Sequence, residues 1–144
     1  MDQQHAVFTC PICQTTVEVL QMCGMEFTCC GRAMEEQHAK TREFGREKHS
    51  PIVQQIDGGI RVHVGPLEHP MTERHHIQWI EVRSAGRVQR QYLEPGQPPM
   101  ADFTVETDRI TVQAYCSLHG LWKRSMPAFL PEYVLEEVEE SRAS

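Results

Sequence analysis

The sequence predicts an all-β chain in which a small cysteine-rich, metal-binding unit precedes a larger antiparallel β-sandwich. Three observations lead there. Five of the six cysteines fall within residues 1–39. From Pro51 to Tyr115, short runs of β-branched and aromatic residues are punctuated by glycine, proline and aspartate turns. No stretch between those limits shows a convincing helical period. The 144 residues, 40% hydrophobic and 24% charged, can bury a core but make only one or two small domains, which excludes a long multidomain enzyme.

In chain order, His5–Thr9, Thr16–Leu20 and Glu26–Thr28 read as short strands between glycine and cysteine turns. So few apolar residues cannot build a core alone, and a unit this small needs a metal, a disulfide or a partner chain. Pro51–Ile56 and Ile60–Val64 form a plausible hairpin around Asp57-Gly58-Gly59. His75–Arg83 turns through Ser84-Ala85-Gly86 into Arg87–Leu93, which Glu94-Pro95-Gly96 ends. Asp102–Glu106 is expected to pair through Thr107-Asp108 with Arg109–Tyr115. Six or seven strands of this kind fit a β-sandwich, with a closed barrel as the alternative. In the tail, Leu130, Val134 and Val138 recur behind Pro131 as a short amphipathic helix. Glutamates at 136, 137, 139 and 140 crowd its C-terminal half and oppose the helix dipole.

The net charge is −6, and it is unevenly spread. Residues 1–39 carry one basic and five acidic side chains, residues 40–127 carry twelve basic and ten acidic, and residues 128–144 carry five glutamates and one arginine. This balance argues against a nucleic-acid or membrane-surface binder and points to a small ligand. No apolar run approaches the ~20 residues that span a bilayer. Met1-Asp2-Gln3-Gln4-His5 lacks the basic and apolar blocks of a secretory signal, so the expected compartment is the cytoplasm. There, six cysteines read as metal ligands or catalytic thiols rather than disulfides.

Cys10-Pro11-Ile12-Cys13 and Cys29-Cys30 supply four thiolates in two tight pairs, a donor set for tetrahedral iron or zinc. Adjacent cysteines in an extended strand point to opposite faces, so Cys29 and Cys30 can share one ion only from a sharp turn, which Gly31 permits. A zinc ribbon that merely staples the fold is the competing reading. Cys23, the odd thiol, could replace one of the four, but reads more simply as a spare.

A second donor set lies in three blocks: Glu47-Lys48-His49-Ser50-Pro51, His69-Pro70-Met71 with His75, and Cys116-Ser117-Leu118-His119-Gly120. Pro51 and Pro70 stiffen Ser50 and His69, which suits a preorganised site. Cys116 and His119 stand close enough to hold one metal. His5, His38, His63 and His76 are read as non-ligands: His63 alternates with Val62 and Val64, and His76 projects opposite His75. Trp79 and Trp122 read most simply as core or rim packing, though an aromatic wall would also keep a metal site dry.

Taken together, these motifs resemble those of the desulfoferrodoxins, the two-iron superoxide reductases. The likeness rests on Cys10-x-x-Cys13 with Cys29-Cys30-Gly31, on Glu47-Lys48-His49-x-Pro51, on His69-Pro70-Met71-x-x-x-His75-x-Ile77-x-Trp79-Ile80, and on Tyr115-Cys116-x-Leu118-His119-Gly120-Leu121-Trp122. It runs in unbroken order over about residues 5–123, and departs at His76, where the family often has an aromatic, and in the longer tail.

The resemblance implies a desulforedoxin/rubredoxin-like four-cysteine iron domain over 1–38, an immunoglobulin-like sandwich with the reductase iron over 39–127, and an acidic tail over 128–144. It implies two irons per chain, one held by Cys10, Cys13, Cys29 and Cys30, the other by an equatorial His49, His69, His75 and His119 with Cys116 axial and one position open. Lys48 would attract superoxide and help deliver protons, and Glu47 would close on the site once product departs. A rubredoxin-like electron donor and a homodimer are also implied. A non-catalytic iron electron carrier and a zinc-ribbon interaction module are the rival readings.

Overall fold

The structure, a computed structural model, describes residues 5–22, 24, 26–40, 49–65, 69–105 and 109–128. Its named elements are all β-strands, in two compact units, 1–39 and 40–144. The expected tail helix lies outside the described residues.

The first unit contains β1 (Val7–Thr9), β2 (Thr16–Glu18), β3 (Thr28–Cys29), β4 (Arg32–Ala33) and β5 (Glu35–Gln37). β1 is the centre of a three-stranded antiparallel sheet of order β2-β1-β5, and β3 pairs with β4 as a separate hairpin. That hairpin turns on Cys30 and Gly31, both at positive φ (55° and 74°), the conformation a two-residue turn of primed type requires. The strands β4 and β5 were not expected. Arg32–Ala33 and Glu35–Gln37 carry no β-branched or aromatic side chain, and they are strands because register with β3 and β1 imposes it. Val7, Cys10 and Val19 are the buried apolar residues of this unit among those described, while Ile12 and Leu20 are 55% and 72% exposed.

The second unit contains β6 (Pro51–Ile56), β7 (Gly59–Val64), β8 (Ile77–Ser84), β9 (Arg87–Tyr92), β10 (Met100–Phe103), β11 (Arg109–Cys116) and β12 (Gly120–Pro127). They form a three-stranded sheet, β10-β7-β6, and a four-stranded sheet, β12-β11-β8-β9, with every strand pair antiparallel. The alternation along the strands explains the core. Ile60, Val62 and Val64 of β7 join Ile80 and Val82 of β8 and Val112 and Ala114 of β11 in one buried cluster. Gly59 is required by packing, since a Cβ there would lie 2.0 Å from the Phe103 carbonyl oxygen.

One expected pairing is corrected. The segment after Met100 pairs with β7, Met100 opposite His63 and Phe103 opposite Ile60, not with β11. Both edges of β11 are already taken by β8 and β12, and Arg61 and Asp102 face each other in a bidentate ion pair of 2.8 and 3.1 Å. The crossing to the other sheet gives the two-sheet arrangement in place of a closed barrel. β12 was also not expected, because Lys123, Arg124 and Ser125 on this flanking strand are exposed and leave no apolar alternation to read.

Candidate metal centres

In the first unit, the β1–β2 turn holds Cys10 buried at its base. The backbone N–H groups of Ile12 and Cys13 donate to the Cys10 Sγ at 3.4 and 3.5 Å, which stabilises a thiolate there. Cys13 Sγ lies 3.0 Å from Thr15 Oγ1 and 3.7 Å from Cys29 Sγ, and Cys29 Sγ lies 4.0 Å from Cys30 Sγ. The left-handed Cys30-Gly31 turn brings the adjacent pair to one side. All four sulfurs lie within 4.8 Å of one another. Four bonds of about 2.3 Å to a tetrahedral ion would set sulfurs about 3.8 Å apart, so the donors fit one ion as they stand.

The acidities of the four thiols complement one another. Hydrogen bonding from the Thr15 hydroxyl brings Cys13 down to about 6, and the Cys13 N–H lowers Cys10. Cys29 is pushed up to about 12 and Cys30 is raised, in both cases chiefly by hydrogen bonding with Cys13. Without metal, the two pairs differ in acidity, and a bound cation displaces the protons that remain.

In the second unit, the donors stand at or between strand ends. His49 precedes β6, His69 and His75 lie on the loop before β8, Cys116 closes β11, and His119 sits in the turn to β12. The imidazoles form a closed circuit. The ring centroids of His49–His69, His69–His75, His75–His119 and His119–His49 are 4.7, 4.7, 5.0 and 4.7 Å apart, with 6.5 Å across the diagonal from His49 to His75. Those lengths describe a square.

Donor atoms of His49, His75, Cys116 and His119 lie within 4.8 Å of one another. His69 belongs to the same circuit by its ring. Its Nδ1–H donates to the Pro70 carbonyl at 2.7 Å, which leaves its buried Nε2 with a lone pair and no hydrogen-bond partner among the described residues. Burial pushes His69 down to about 4, so it is neutral at pH 7. Burial also pushes the Cys116 thiol up, against the N–H groups of His119 and Leu118. An orphaned imidazole nitrogen and a buried thiol beside three further imidazoles fit a cation that accepts nitrogen and sulfur together.

Supporting contacts hold this arrangement. The Ser117 N–H donates to the His76 carbonyl at 3.0 Å, the His76 N–H donates to Ser117 Oγ at 3.0 Å, and Ser117 Oγ donates to the Arg74 carbonyl at 3.3 Å. Ser117 thus grips the chain on both sides of His75 and ties it to Cys116. Trp122 stacks on His49 with centroids 4.7 Å apart and planes 9° from parallel. Ser117 was not singled out from the sequence, where its only signal is its place inside Cys-x-x-His.

Glu47, Lys48 and Cys23 lie outside the described residues. Of the histidines read as non-ligands, His5 lies 3.9 Å from Glu18, His38 lies 3.3 Å from Glu36, His63 stands on β7 opposite Met100, and His76 joins the Ser117 contacts. None belongs to either group of converging donors.

A family model described as Desulfoferrodoxin matches residues 41–125, more than half of the chain. The chain belongs to the desulfoferrodoxin family. It is 42% identical over 123 residues to a desulfoferrodoxin homolog of Archaeoglobus fulgidus, covering 85% of this chain and 98% of that one. It is 40% identical over 123 residues to the desulfoferrodoxin of Desulfarculus baarsii, with the same coverage of both chains. Among solved structures, the superoxide reductase of Treponema pallidum matches with a TM-score of 0.65 at 23% identity, over 83% of this chain and 95% of that one, a likeness of fold. The superoxide reductase of Nanoarchaeum equitans matches with a TM-score of 0.51 at 26% identity, over 62% of this chain and 99% of that one. Among the described residues, no helix is long and apolar enough to cross a membrane.

Proposed function

We infer that this protein is a superoxide reductase with two iron sites, one of four cysteines and one of four histidines and a cysteine. The observation that carries the reading is the square of His49, His69, His75 and His119 with the buried Cys116 beside it. Cys10, Cys13, Cys29 and Cys30 would hold one iron, and the four histidines with Cys116 would hold the other. Iron bound at the second site would supply the one electron that, with two protons, converts superoxide to hydrogen peroxide.

The chain's own residues prepare that site. The His119 N–H donates to Cys116 Sγ at 3.4 Å and holds the thiolate in place. The Pro70 carbonyl fixes the His69 tautomer so that Nε2 is the donor. Trp122, 2% exposed, covers the His49 ring and keeps water from it. Lys48 draws the superoxide anion toward the site and positions water for proton delivery. Glu47 would offer a carboxylate to the metal after product departs.

The first unit is the desulforedoxin-like domain over 1–38, and the sandwich over 39–127 is the reductase domain, followed by an acidic tail over 128–144. A rubredoxin-like protein delivers electrons, in the cytoplasm, where the free thiols of Cys10, Cys13, Cys29, Cys30 and Cys116 stay reduced. With only Val7, Cys10 and Val19 buried among its described apolar residues, the first unit is stabilised by its metal and by a homodimer. Light scattering should give twice the chain mass at micromolar concentration.

The deciding experiment is stoichiometric. The iron-loaded protein with a reductant should consume superoxide and yield hydrogen peroxide without dioxygen. Dioxygen in proportion to superoxide consumed would mean dismutation and would sink the reading.

A further inference from the structure

We propose that Lys40 sets the electron affinity of the histidine–cysteine centre, through a fixed positive charge held against the aromatic ring that backs His49. The inference rests on the reading of that centre as a redox iron site, and it concerns a residue that is no ligand and touches no substrate.

The backbone places Lys40 without help from its side chain. Its N–H donates to the Leu121 carbonyl at 2.8 Å, and its carbonyl accepts the Lys123 N–H at 3.1 Å. These bonds straddle Trp122, which Lys40 faces in a parallel bridge on the flank of β12. Residues paired in this way project to the same side of a sheet, so the lysine stem is committed to the tryptophan. Its Nζ lies 5.6 Å from the Trp122 ring centroid, within cation–π range. The same ring is stacked on His49 at 4.7 Å. No more than about 10 Å therefore separates the ammonium from a metal-binding imidazole. The matter between is a buried indole, not water, so the charge is weakly screened.

The sign follows from charge counting. Four neutral imidazoles and one thiolate leave the ferrous site at a formal +1 and the ferric site at +2. A neighbouring cation destabilises the ferric state more, so it raises the midpoint potential and favours uptake of the electron that the oxidised centre needs. The plain alternative is a lysine whose methylene stem merely covers Trp122. A neutral replacement of equal reach separates the two.

The test is a redox titration of the iron-loaded full chain, followed by the thiolate-to-iron absorption band. Lys40→Met keeps the stem and removes the charge, Lys40→Gln is a second neutral replacement, and Lys40→Arg keeps the charge. Both neutral variants should show a lowered midpoint. Poised at the wild-type midpoint, they should hold about tenfold more ferric than ferrous iron, the effect of a unit charge at this range in a protein of intermediate dielectric. Lys40→Arg should titrate like wild type. Neutral variants with the wild-type midpoint, or Lys40→Arg shifted as far as Lys40→Met, would overturn the proposal and leave the reductase reading intact. A wild-type protein that takes up no iron at the second site would overturn both.

Discussion

The Nε2 atom of His49 lies 3.0 Å from the Nδ1 atom of His119, across 70 residues of chain. Two imidazole nitrogens at that distance either share a proton or converge on a cation. Metal–nitrogen bonds of about 2.1 Å meeting at a right angle set their donors about 3 Å apart, so the geometry is that of neighbouring ligands. The fold holds this spacing by packing the strands that follow His49 and precede His119 into one core.

The two centres are built from separate units and should fail separately. Cys13→Ser should lose the four-cysteine iron and keep the other, while Cys116→Ser should lose the thiolate-to-iron band and the reductase activity. Metal analysis with visible spectra checks both. Loss of the second iron in Cys13→Ser would contradict the division.

Lys48 immediately precedes His49 in the sequence. Lys48→Ile should slow the second-order reaction with superoxide by about one order of magnitude, the low end of electrostatic rate effects, without changing iron content. Its remaining rate should depend less on ionic strength. Pulse radiolysis over a salt series measures both, and unchanged rates and slopes would return Lys48 to an ordinary surface role.

Glu81 faces away from the core on β8, yet it is fully buried. Arg83 donates to it at 2.6 Å and Arg90 Nε at 3.0 Å, while the Arg90 guanidinium also lies 4.6 Å from the Trp79 ring centroid. Glu81→Gln leaves two cations with a neutral partner and should cost about 2 kcal/mol, less than a wholly buried pair because both arginines keep some solvent. A lower urea midpoint at unchanged slope is the expected result.

In the metal-free protein, His69 titrates near 4 rather than at its ordinary 6.5. Between those values the unfolded chain binds a proton that the folded chain refuses, so stability falls as pH drops from 6.5 and the loss ends near pH 4. Thermal melts of metal-free wild type against His69→Phe should show this slope in the first and a shallower one in the second.

Much of this was readable before any coordinates. Pro51–Ile56 is a strand with the expected bounds, and every converging cysteine and histidine stands in a motif whose spacing already suggested it. What was hidden is non-local. Nothing in the polar runs of β4, β5 and β12 announces a strand, because their partners impose the conformation. The pairing of β10 with β7 depends on which edges of β11 are already occupied, a fact no local window contains. Lys40 is silent in sequence for the same reason: its meaning comes from Trp122, brought beside it by two backbone hydrogen bonds.

The mixed protonation of the cysteine cluster also bears on the order of events in the protein's making. With Cys13 near 6, its sulfur is largely anionic at neutral pH, and the Cys29 sulfur waits 3.7 Å away. An anionic sulfur beside a thiol is the starting arrangement for a disulfide once an oxidant arrives. A newly made chain that meets peroxide before metal would lock Cys13 to Cys29 and lose half of its four-sulfur cage. Metal loaded first would tie up both sulfurs and keep the cage whole.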